Sequence, residues 1–271
     1  MVVVAPESII LHSREADSKV RSTRIRSAIR GDFDQACEQI AAALVPKPLD
    51  PSRSYSAQIH AMLRDPIVRG HLPPGAPLSE AAIAAAVGTS RTPVREALQH
   101  LVHEQLVQVY PQVGTRVAPL RVALIREGCF VRRTLECANL LDVVNTITDA
   151  QRKEIRSLLS RQQTALRDGA TEALFQSDEE MHRRLFELAG RSRVWTLIAG
   201  TKLHLDRVRW LLLDRMKGHA ERMLSEHTTI VKRLMANDTA GLCSKMQQHI
   251  DAVAVHLLEL RSCLPESYFG D

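Results

Sequence analysis

Aromatic residues are scarce in this chain: phenylalanine, tyrosine and tryptophan make up 4% of its 271 residues. Hydrophobic residues make up 45%, so its cores are aliphatic, and the length allows more than one domain. The cysteines (Cys37, Cys129, Cys137, Cys243 and Cys263) are odd in number and scattered, with no C-x-x-C pair. That excludes a disulfide framework and points to reduced thiols in a cytoplasm. No apolar run approaches the length of a membrane span. The opening stretch, Met1 to Pro6, lacks the basic start and long apolar region of a signal peptide. No H-E-x-x-H motif is present, which removes the commonest sign of a zinc hydrolase. A net charge of +5 and a pI near 9.1 permit nucleic-acid binding without requiring it.

What is present centres on Ser90-Arg91-Thr92-Pro93-Val94-Arg95-Glu96-Ala97-Leu98. Pro93 suits the first turn of a helix, where a missing N–H is harmless, and Ser90 or Thr92 can cap it. Val94, Ala97, Leu98 and Leu101 recur at helical spacing as an apolar face. Arg91, Arg95 and Gln99 fall on another, suited to base edges and phosphates; a solvated polar face is the plain alternative. Upstream, Ser79 can cap a short helix over residues 80–87, ended by Gly88, and Gly88-Thr89-Ser90 forms a tight turn. Downstream, Leu106 to Tyr110 and Thr115 to Val117 are β-prone, with the turn-prone Pro111-Gln112-Val113-Gly114 between them. A helix-turn-helix followed by a hairpin is a winged helix, with Arg116 as a candidate phosphate contact on the wing.

Gly70-His71-Leu72-Pro73-Pro74-Gly75, Leu78-Ser79-Glu80, the Ser90–Leu98 stretch and Glu104-Gln105-Leu106-Val107 together resemble the DNA-binding domain of GntR-type bacterial regulators. Their order and spacing match over about seventy residues. The resemblance implies that Arg91, Thr92 and Arg95 contact a double-stranded operator. Ala81 departs from the pattern where several relatives carry a DNA-contacting arginine. Pro66 interrupts the first helix, read as Ile59 to Val68, and predicts a kink there.

Residues 1–50 form an extension that the resemblance does not require. Arg14, Lys19, Arg21, Arg24, Arg26 and Arg30 make it basic, and Phe33, Ala36, Cys37, Ile40, Ala41 and Leu44 form a short amphipathic stripe. Pro46 to Pro51 reads as a stiff linker. The extension is either an arm touching DNA or a partner subunit, or a solvated tail. Residues 51–120 then hold the winged helix, and residues 121–271 a domain with no strand pattern. Helices are expected over 121–147, 149–168, 171–189, 192–215, 218–236 and 239–262, packed as an antiparallel bundle. The fold class is mainly α.

Within that bundle, Asp178 and His182 lie four apart on one helix, and His227 and His249 lie on two later ones. One carboxylate and three imidazoles from three helices can converge on zinc, nickel, manganese or iron. Spacing alone leaves His204, His219 and His256 equally available. Arg132-Arg133-Thr134-Leu135-Glu136, Asp178-Glu179-Glu180-Met181-His182, Glu226-His227-Thr228-Thr229-Ile230 and Met246-Gln247-Gln248-His249-Ile250 resemble the FCD ligand-binding domain of the FadR subfamily. That subfamily joins such a bundle to a GntR winged helix. The resemblance implies a divalent transition metal, zinc foremost, held by Asp178, His182, His227 and His249. It also implies an effector-facing Arg132 that can pair with a carboxylate, the plain alternative being a surface ion pair with Glu136. The expected protein is a cytoplasmic homodimer on a near-palindromic operator, a repressor controlled by a small organic acid. A metal-dependent enzyme and a regulator with a purely structural metal are the rival readings.

Overall fold

The computed structural model describes Ile40 and residues 48–270. The basic residues of the N-terminal extension lie outside them. Ile40, from its amphipathic stripe, is buried against the winged-helix core.

The first helix, α1, spans Tyr55–Val68. It begins four residues before the expected Ile59 because Ser54 caps it, its hydroxyl accepting from the Ala57 amide at 3.4 Å. It runs through Pro66 without a break: the proline sits in the last turn and removes one amide donor near the helix end. Helix α2 (Glu80–Val87) is capped by Ser79 and ended by Gly88 at φ 68°, a left-handed conformation that glycine adopts without strain. Helix α3 (Arg91–His103) has Ser90 at its N-cap, but no side-chain hydroxyl caps it. Its buried residues are Val94, Ala97, Leu98 and Leu101, the apolar face expected from the spacing. Strands β1 (Val107–Tyr110) and β2 (Gly114–Val117) pair antiparallel, Val107 opposite Val117. The other edge of β2 pairs with the stretch before α2, through Leu78 N to Thr115 O at 2.8 Å and Val117 N to Ala76 O at 2.9 Å.

After the short strand β3 (Leu120–Arg121) come α4 (Val122–Thr146), α5 (Asp149–Arg167), α6 (Thr171–Leu188), α7 (Ser192–Thr201), α8 (Leu203–Arg215), α9 (His219–Met235) and α10 (Thr239–Cys263). Helix α4 packs along α10, α5 along α6, and α9 against both α5 and α10. Two expectations fail here. The single helix over 192–215 is broken at Lys202, whose ammonium turns inward to Glu179 and Asp206, 2.6 Å from each. Strands are also present: β3 pairs parallel with β4 (Phe269–Gly270), which brings the C-terminal segment back to the junction with the winged helix. Helix α8 lies close to α4 at Gly128, where an added Cβ would stand 3.2 Å from the Leu205 Cβ. The aliphatic core includes Ile125, Leu140, Val143, Met181, Leu205, Leu212, Ile230, Met246 and Ile250.

Candidate metal centre and nucleic-acid interface

Asp178 and His182 project from one face of α6, His227 from α9 and His249 from α10. All four are buried, and they offer ligand atoms that lie within 4.8 Å of one another. The Nε2 atoms of His227 and His249 are 3.2 Å apart, and Asp178 Oδ1 is 3.2 Å from His227 Nε2 and 3.6 Å from His182 Nε2.

The outward nitrogens explain the arrangement. His182 Nδ1 meets Glu136 Oε2 at 2.6 Å, His227 Nδ1 meets Gln162 Oε1 at 2.7 Å, and His249 Nδ1 meets Glu226 Oε2 at 2.8 Å. Each of those oxygens accepts, so each Nδ1 carries a proton and each Nε2 points inward. Lone pairs facing a carboxylate oxygen repel unless a cation lies between them. Consistent with that, Asp178 Oδ1 and His182 Nε2 are buried with no hydrogen-bond partner, the kind of orphan that native interiors avoid. The residues therefore fit a divalent metal by donor type, protonation and direction.

Burial, and then the neighbouring imidazoles, hold His227 and His249 well below the ordinary histidine range, and so neutral. Burial acts to raise the Glu136 carboxyl, but Arg132 and His182 outweigh it and hold Glu136 well below the usual carboxylate range. Arg132 donates to Glu136 Oε1 at 2.5 Å. The pair named as the plain alternative for Arg132 is thus formed, but buried rather than at the surface.

A small cavity opens beside the cluster. Asp178 and His249 line it, with Arg209, Arg222, Glu226, His219 and His256; Arg132 does not. Its free volume, about 20 Å³, holds roughly one water molecule. Arg209, from α8, donates to Asp178 Oδ2, Glu179 and Asp206. His219 and His256 stand edge to face, ring centroids 5.0 Å apart, and the Nδ1 atom of each is buried without a hydrogen-bond partner. His204 lies elsewhere, at the junction with the winged helix, its Nε2 2.9 Å from the Gln105 carbonyl.

Sequence reasoning missed Gln162, Arg209 and the partner role of Glu226. Gln162 did leave a signal: it is a polar residue on the apolar stripe of α5, between Leu159 and Ala165. Arg209 left none, because 203–212 mixes Leu, Val and Trp with His204, Asp206, Arg207 and Arg209, and nothing in that pattern singles out the charge that meets Asp178.

On the winged helix, Arg91, Thr92, Arg95 and Gln99 are all exposed on α3. Arg95 is held by Glu80 of α2 through two parallel bonds of 3.0 and 2.9 Å. Arg116, on β2, is half-buried and donates to the Gly75 carbonyl at 3.0 Å.

Comparison with known proteins decides the family. Residues 55–117 match the model of bacterial regulatory proteins of the gntR family, and residues 127–252 match the FCD domain. The HTH-type transcriptional repressor RspR of Escherichia coli K12 is 30% identical over 213 residues, 79% of this chain and 93% of the relative. This chain belongs to the GntR family. An HTH-type transcriptional regulator from an unstable DNA locus of Streptomyces ambofaciens is 34% identical over 219 residues, covering 81% of this chain and 92% of the relative. Among solved structures, E. coli McbR/YncC shares the fold, with a TM-score of 0.63 and 22% identity over 78% of this chain and 99% of that one. A GntR transcriptional regulator from Rhodococcus sp. RHA1 has the same TM-score at 25% identity, covering 76% of this chain and 99% of that one. The chain is thus a transcriptional regulator with a DNA-binding GntR domain and an FCD effector domain, of a family of regulators and not of enzymes. Among the described residues no helix is long and apolar enough to cross a membrane.

Burial of the neutral histidines sets a pH dependence. His204 and His219 are both pushed down to about 4, chiefly by burial. Folding therefore favours their neutral forms. That stability is fully present above the unfolded value near 6.5 and is lost as the pH falls from there towards 4. Urea titrations of wild type and His219→Phe at pH 7 and 4.5 should show the variant losing less on acidification, by roughly 2 kcal/mol. An identical acid loss in both proteins would show that His219 does not contribute.

Proposed function

We propose that this regulator is a cytoplasmic homodimeric repressor whose operator affinity is set by a small carboxylate bound beside a divalent metal. The observation that carries the reading is the inward convergence of Asp178 and three Nε2 lone pairs in a buried site that also borders a cavity. Asp178, His182, His227 and His249 would hold the metal, with Glu136, Gln162 and Glu226 fixing the three rings. Zinc suits this mixed nitrogen and oxygen set best; nickel, manganese and iron suit it too. The bound ion supplies a Lewis-acidic position for a carboxylate oxygen.

Arg209 is the guanidinium placed to receive the effector, in the role first expected of Arg132. The cavity is too small for an organic acid while Arg209 stays on Asp178. The effector carboxylate therefore takes over Arg209 as it enters, and α8 shifts with it. Arg132 instead keeps Glu136 charged and His182 oriented. Elemental analysis should find metal reduced in His182→Ala and His249→Ala, and retained in His204→Ala and His256→Ala. Full occupancy in the His249 variant would remove the proposed centre.

The operator reading rests on α3. Arg91, Thr92, Arg95 and Gln99 form the face that reads the major groove, and Arg116 steadies the wing near the backbone. For Arg95 the duplex must replace Glu80 as partner. In gel shifts Arg95→Ala should weaken specific binding by about 1–3 kcal/mol, the range for a lost bidentate contact. Unchanged affinity in both Arg91→Ala and Arg95→Ala would discard the assignment.

One recognition helix reads one half-site, so two copies are required for a near-palindromic operator. Phe130 and Leu141 on α4 and Leu197 on α7 are exposed, at 60%, 45% and 70%, and α7 packs on α4. This apolar surface is the proposed dimer contact. Light scattering should give a dimer for wild type and a monomer-shifted mass for the double variant Phe130→Asp, Leu197→Asp. A monomeric wild type, free and on DNA, would end the dimer reading.

A further inference from the structure

Helix α8 touches both halves of the molecule. Residues 203–212 are buried without interruption. Leu205, Val208 and Leu212 enter the bundle core, while Arg209 holds Asp178. Other residues of the same helix engage the winged helix. Leu203 packs into its core. His204 Nε2 lies 2.9 Å from the Gln105 carbonyl. The Arg207 guanidinium donates to Ala118 O at 2.7 Å and to Pro119 O at 3.4 Å.

The grasped positions are informative. Gln105 follows the residue that ends the recognition helix, and it is left-handed at φ 59°, a conformation costly for a residue with a side chain. Ala118 and Pro119 are the exit of the wing, and the Ala118 amide closes back on the Leu106 carbonyl at 2.9 Å. The carbonyl of Gln105 can only accept, so Nε2 of His204 is the donor and its Nδ1 is left without a hydrogen-bond partner. Arg207 is 2% exposed and pairs with no carboxylate among the described residues; burial pushes it down to about 9. A buried guanidinium given over to two main-chain oxygens is a poor way to gain stability. It is a good way to fix where a backbone lies.

We infer that His204 and Arg207, although they belong to the FCD domain, are positioning residues for DNA recognition: they set the attitude at which α3 is presented to its half-site. Arg209 lies on the same helix and is bound to Oδ2 of Asp178, so any shift of Asp178 as its Oδ1 takes up a cation reaches α8 and moves both grips together. This second step rests on the metal-and-effector reading; the positioning role does not.

The test uses the full-length chain and a duplex recovered from a random pool by the wild-type protein. The spacing between its half-sites is then changed one base pair at a time. Wild type should prefer one spacing over its neighbours by about tenfold or more, as rigid presentation requires. His204→Leu and Arg207→Met should bind an isolated half-site within about twofold of wild type but discriminate between spacings by no more than about threefold. His204→Gln keeps an N–H donor and should restore the preference, a rescue that general loss of stability would not give. A wild-type spacing profile in both variants overturns the inference, and so does a wild type with no preference. Should His204→Leu fail to fold, a flat profile in His204→Gln and a sharp one in Arg207→Met would overturn it equally.

Hydrogen exchange separates the second step. Adding zinc to metal-free wild type should alter exchange of the 105–107 and 118–120 amides, and in Arg209→Met the change should stay within the bundle. Zinc bound with no change near Gln105 overturns the coupling while sparing the metal centre. Failure of zinc to bind removes the metal reading and leaves the spacing result standing.

Discussion

A carboxylate and three imidazoles face one another, buried at the centre of the bundle, and much of the domain is arranged to make that arrangement tolerable. Helices α4, α5 and α9 each contribute one acceptor to an outward ring nitrogen. Glu136 keeps its charge in a buried position only because Arg132 and His182 flank it. Buried polar groups in such a network are stabilising when every member is satisfied and costly when one is not. Three atoms of the network are left unsatisfied: Nη2 of Arg132, and Asp178 Oδ1 and His182 Nε2, which both face the position proposed for a cation.

The same chemistry ties the centre to the rest of the chain. Asp178 uses Oδ1 inward and Oδ2 outward, and the outward oxygen belongs to Arg209. Arg209 shares Asp206 and Glu179 with Lys202, the residue at which the helical run over 192–215 breaks. The ion pairs therefore continue from the cluster to the start of α8. From there the contacts become main-chain ones, to Gln105 and to Ala118–Pro119. Charged groups lie on the bundle side and carbonyls on the winged-helix side, so the helix is held by different forces at its two faces.

The sequence made the winged helix legible almost residue by residue, because its signals are local. Ser79 and Gly88 bound α2 as expected, and the apolar spacing named the four buried residues of α3. The four converging side chains of the bundle were legible as well, through i, i+4 spacing and resemblance. What could not be read was set by distant parts of the chain. Lys202 breaks a helix because of Glu179, more than twenty residues earlier. Arg209 is one of several charges on its helix until Asp178 is placed beside it. β4 exists because the C-terminal segment returns to Leu120. In each case the cause is a partner distant in sequence, which periodicity cannot name.

The bidentate pair between Arg95 and Glu80 bears on the proposed contact between Arg95 and the operator. A guanidinium already occupied by a carboxylate presents little net charge to passing phosphates. Random sequence offers phosphates everywhere but seldom a guanine edge in the right place. If Arg95 contacts the operator as proposed, Glu80 is a competitor that the duplex must displace, and the exposure of the pair, 63% for Arg95 and 31% for Glu80, keeps that competition mild. On that proposal a partner shaped like the carboxylate, such as a guanine edge, releases Arg95 more readily than a single phosphate oxygen does.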